Sequence, residues 1–113
     1  MSRLSREAIL NCKDIEQQEV YVKKWDGSVL VQALSGKKRA AIMDGCMNSK
    51  GKMDTEKLYP ALIVAGCVEP EFDKADAEAL NGKNSGALET ICKVIMKLSG
   101  ISEDDVEKAE KNS

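Results

Sequence analysis

The sequence contains no histidine. That removes the commonest general base, the Ser–His and Cys–His nucleophile pairs and most mixed zinc sites together. Aromatic side chains are scarce: Tyr21, Trp25, Tyr59 and Phe72 are the full set, little material for stacking nucleic-acid bases. Positive charge is not in surplus either. Seventeen basic against nineteen acidic residues give a net of −2, whereas nucleic-acid binders neutralise phosphates with excess Lys and Arg. The longest apolar run, 61–68, has eight residues, less than half of the roughly 18 that a membrane span needs. The opening LSREAILNC places Arg6 and Glu7 where a secretory signal would carry its apolar stretch. The expectation is a soluble intracellular protein that is not an enzyme, with no cofactor, no nucleic-acid partner and no membrane partner.

Close cysteine pairs are missing as well. Cys12, Cys46, Cys67 and Cys92 stand 34, 21 and 25 positions apart, and a cysteine-only zinc site normally draws on two close pairs. Each lies in an apolar or mixed helix-like segment, where thiols behave as small hydrophobes. The reading is four reduced cysteines, with Cys12 and Cys46 the two within reach of a thiol reagent.

What the chain does have is the material of one domain. Its 113 residues match the usual size of an independent domain, about 100–150 residues. Ser5 is placed to cap a short helix through about Cys12, with Ala8 and Ile9 facing inward. EVYVKK and SVLVQAL alternate at period two around Asp26-Gly27, the pattern of a β-hairpin over about 19–34. Ser35 then caps a helix over about 36–47 with Ala40, Ile42, Met43 and Cys46 as its apolar stripe, and MNSKGK (47–52) is a loop. Asp54 caps a helix to about Cys67, with Glu56 in its first turn. Pro60 lies beyond that first turn and is expected to kink the helix or shift its start.

VEPEF (68–72) reads as a turn-like linker and 73–80 as a short acidic helix. Asn84 or Ser85 opens the best amphipathic segment, in which Leu88, Ile91, Cys92, Ile95 and Leu98 repeat at helical spacing until Gly100 ends it. Ser102 starts a last helix, about 102–111, with a thin apolar face of Val106 and Ala109. The fold class is therefore α+β and mostly α-helical: a single domain, 1–113, in which one hairpin packs with about five helices. Its core is expected from Val20, Val22, Val29, Val31, Leu58, Leu62, Ile91, Ile95 and Leu98.

Charge segregates along the chain. Residues 34–57 carry six basic and three acidic groups, and 69–80 carry one basic and five acidic. Such blocks are solvated faces or surfaces that pair with each other. LSGKKRA follows a strand and opens a helix, the context of a phosphate loop. That motif would need glycine at Val31 and Ser or Thr at Lys38, and neither is present. Glu103, Asp104 and Asp105 lack the alternating spacing of a calcium loop, so no metal ligands are assigned. Lys37, Lys38 and Arg39 read first as a solvated helix start and second as candidates for contact with a phosphate or an acidic partner. Tyr21, Lys23 and Trp25 of the hairpin join them as candidate partner-binding residues.

The order of these signals resembles the tail assembly chaperones of long-tailed bacteriophages and prophages. The likeness runs through EVYVKKWDGSVLVQALSGKKR, KLYPALIVAGCVEPEF and ICKVIMKLSGISEDDVEKAEKNS. In that family an acidic residue is expected before Arg39, and Lys38 departs from the pattern. The resemblance implies a non-enzymatic protein of the host bacterial cytoplasm, not expected in the mature virion. It would bind and solubilise the tape measure protein and promote tail tube assembly, with the tail tube protein as second partner and homo-oligomers expected. Some members of such families have a longer form made by ribosomal slippage, and Glu110-Lys111-Asn112 can be encoded by a slippery heptamer. The competing readings are a small bacterial adaptor or regulatory binding protein, or a structural tail component.

Overall fold

The structure, a computed structural model, describes residues 3–101. The last helix expected over 102–111 lies outside the described residues. Among the described residues five α-helices and a three-stranded antiparallel sheet make up a mixed, mostly helical α+β fold, the class that the periodicities predict, with one strand more than the expected hairpin. In chain order the elements are α1 (Arg6–Asn11), β1 (Gln17–Val22), β2 (Gly27–Gln32), α2 (Gly36–Gly45), α3 (Thr55–Gly66), β3 (Cys67–Glu69), α4 (Ala77–Asn81) and α5 (Ser85–Leu98).

The helix starts are where the caps put them. Ser5 accepts from the Ala8 N–H, Ser35 from Lys38, Asp54 from Glu56 and Asn84 from Ala87, each at 3.0–3.2 Å. Every one satisfies a helix-terminal N–H that has no intrahelical acceptor. At the far end of α5, Gly100 adopts φ 71°, and the Ile101 N–H reaches back to the Met96 carbonyl at 2.9 Å. That is a left-handed Schellman stop, easiest for glycine. Before α4, Asp73 and Asp76 cap each other's backbone reciprocally.

β1 and β2 pair with Val22 opposite Gly27, so the connection is Lys23–Asp26. Asp26 sits in the left-handed region at φ 48°, a conformation that short polar side chains tolerate, and accepts a 2.8 Å hydrogen bond from the Tyr21 hydroxyl. Val20, Val22 and Val31 turn inward and are buried, against α5. With α3 packed across α5, the core closes around Leu58, Leu62, Ile63, Ile91 and Ile95. Val29 and Leu98, expected in the core, are half-buried at its margin.

Four expectations are corrected. The linker expected from residue 68 begins instead as β3, because the free edge of β2 offers backbone groups that Cys67 and Glu69 satisfy. Cys46 is 2% exposed rather than reachable: the loop folds back so that the Asp54 N–H meets the Cys46 carbonyl at 2.7 Å and Met53 is buried beside it. Ala8 and Ile9 do not face inward, since α1 buries none of its residues, and Ala40 of α2 is exposed. With Pro60 inside it, α3 still starts at Thr55, where Asp54 caps it. The carbonyl that proline orphans, on Glu56, is taken by the Asn81 side chain.

Candidate functional site

Three helices that share one core need not close on their outer sides. α3 turns Leu58, Leu62 and Ile63 to the core and leaves Ala61, Val64 and Ala65 half-buried on its other side. α2 flanks that face on one side and α4 on the other. Between them runs a groove of about 570 Å³, with Ala41, Pro60, Ala61, Val64 and Ala77 among its walls. These side chains are small, so a visiting helix could approach the backbone closely. From Lys57 to Ala65 the groove follows α3 for about 12 Å, at 1.5 Å of rise per residue.

Charge is confined to the rim. Lys38, Lys57 and Lys74 line it with Glu56 and Glu78, so each of the two charge blocks brings both signs to this trough. They do not neutralise each other directly at its Lys38 end, where the ammonium donates to the Ala65 carbonyl at 3.3 Å. That carbonyl belongs to the last turn of α3, where the helix dipole favours a cation.

The six residues singled out from sequence are divided between two places. Tyr21, Lys23 and Trp25 lie at the hairpin tip, all exposed. The hydrogen bond to Asp26 holds the Tyr21 phenol above its ordinary value. Lys37, Lys38 and Arg39 begin α2, beyond the opposite end of β2, whose six residues span about 20 Å at roughly 3.3 Å each. Of the six, Lys38 lines the groove. Sequence reasoning did not locate the groove. Its trace was the run ALIVAGCV, apolar on all sides of a helix whose neighbours cover it only in part.

The thiols carry no reactive geometry. Burial pushes the Cys92 thiol up to about 12, with Glu89 adding to the shift, and its Sγ lies 3.5 Å from the Tyr59 carbonyl. Cys46 is raised first by burial and then by Asp54, with Lys57 opposing, and Cys67 by burial. Raised thiols are poor nucleophiles at neutral pH. Cys12 is exposed. Among the described residues no three His, Cys, Asp or Glu side chains cluster as metal ligands, and no helix is long and apolar enough to cross a membrane. No protein-family model, curated protein or solved structure matches this chain.

Proposed function

We propose that the chain is a tail assembly chaperone of a long-tailed bacteriophage or prophage. It acts in the host bacterial cytoplasm and is absent from the mature virion. It is a binder and not an enzyme, and its client is the tape measure protein, which it keeps soluble while tail tube subunits assemble. One observation carries this reading beyond the sequence resemblance: the groove between α2, α3 and α4, apolar along its walls and charged at its rim. Such a trough suits one face of an amphipathic helix, read through anchors at i, i+3 or i+4, and i+7. The rim charges would then set direction and register more than affinity.

Co-expression tests it. The chain should raise the soluble yield of the tape measure protein and co-purify with it. Ala61→Glu, which puts a charge into the groove wall, should abolish both effects, while Glu71→Lys on the exposed surface should not. If neither protein changes the other's solubility and they do not co-purify, the reading fails. Recovery of the chain from purified virions would replace it with a structural tail role.

A further inference from the structure

The chain carries both an apolar groove and an exposed apolar arm. Every residue from Arg3 to Glu19 is exposed, although the arm contains Leu4 at 75%, Ile9 at 57%, Leu10 at 65% and Ile15 at 43% exposure. Large apolar side chains concentrated on a segment whose residues are all exposed mark an interaction surface. Ile9 and Leu10 lie side by side on α1, a six-residue helix about 9 Å long. That length falls within the roughly 12 Å that α3 offers between Lys57 and Ala65.

We propose that the arm of one copy fills the α2–α3–α4 groove of a second copy, and that the second returns its own arm in a closed two-fold exchange. The arm, residues 3–16, and the fifteen residues lining the groove together reach the size of a stable interface, about 20–30 residues a side. Reciprocity covers both grooves and both arms with one kind of contact and leaves nothing open for further growth. The root of the arm is fixed, because the Ala33 N–H donates to the Glu16 carbonyl at 2.8 Å. Residues 12–16 connect that root to α1, and every residue of the arm stays exposed. The exchange does not depend on the client. It does make the arm a competitor for the same groove, so a client helix would enter by displacing it.

The test uses the full chain alone, by sedimentation across a wide concentration range. The unmodified protein should be a dimer. Ile9→Asp with Leu10→Asp, both at exposed positions, should raise the concentration for half-dimerisation at least a hundredfold without altering the circular dichroism. A groove change, Ala61→Glu, should do the same. If that variant fails to fold, Ala77→Glu serves instead, since an acid is favoured in the first turn of α4. Mixing the arm variant with the groove variant should restore dimers, for one intact arm and one intact groove remain between them. A thiol cross-linker between Cys12 and Glu78→Cys should give a product of dimer mass. A monomer at every concentration, dimers untouched by the arm change, no rescue on mixing, or a cross-link of monomer mass would overturn the exchange. None of these outcomes bears on tape measure solubility, which is measured separately.

Discussion

The side-chain amide of Asn81 donates to the backbone carbonyl of Glu56 at 2.8 Å. That carbonyl is the one Pro60 would have bonded four residues on, had it an N–H. A helix interrupted by proline thus stays continuous because another helix supplies the missing donor. The same bond ties α4 to the start of α3 and sets one wall of the groove. Asn81→Ala should cost about 0.5–1.5 kcal/mol, the usual net worth of such a bond. In a Pro60→Ala background the Glu56 carbonyl regains its helical partner, so the second loss should be close to zero. Urea unfolding of the four proteins gives the coupling, and equal losses in both backgrounds would mean that the bond does not compensate for the proline.

Gly66 faces Ile95 at a distance that admits no side chain. A Cβ there would stand 2.8 Å from both Cδ1 and Cγ2 of Ile95, and Ile95 is fully buried. Gly66→Ala should therefore destabilise by about 1–3 kcal/mol, the range for overpacking, despite alanine's better helix propensity. Ile95→Ala alone should cost about 2–5 kcal/mol. Combined, the two should cost less than their sum, as thermal unfolding of the double variant would show.

Ser99 joins the end of the hairpin to the end of α5. Its hydroxyl accepts from the Leu34 N–H at 2.8 Å and donates to the Ile95 carbonyl at 2.6 Å. Ser99→Ala leaves the N–H of a buried residue without a partner, a loss of about 1–3 kcal/mol. Hydrogen exchange at Leu34 should accelerate in that variant far more than exchange at Ile63, in the middle of α3.

The thiols predict both a count and a pH trend. In the native chain Cys12 should react quickly with a disulfide reagent, while Cys46, Cys67 and Cys92 should wait for unfolding. Cys92 holds its proton to about 12 against an ordinary 9.0. Above pH 9 the unfolded chain therefore binds fewer protons than the folded one, and stability falls as pH rises. This contribution is whole below about 9 and is lost towards 12. Cys92→Ala should flatten the loss.

What the sequence determined by itself is whatever a few neighbouring residues decide. Ser5, Ser35, Asp54 and Asn84 open their helices because a side-chain oxygen reaches an N–H two or three residues ahead. Gly100 closes α5 because glycine takes the left-handed turn readily. The alternating valines commit about 19–34 to a hairpin, which pairing sets at 17–32, and the stripe from Leu88 to Ile95 finds the core because its period is that of a helix. Tertiary structure decided the rest, through partners twenty or more residues away. Cys67 to Glu69 became a strand because β2 had an open edge. Pro60 was tolerated because Asn81 lay across from it. Lys38 was separated from Tyr21 and Trp25 by the length of β2, and joined to Ala61 and Val64 by the packing of α2 on α3. An all-round apolar run such as ALIVAGCV announces burial on every side. How much of that burial the chain supplies to itself was settled by where α2 and α4 came to rest.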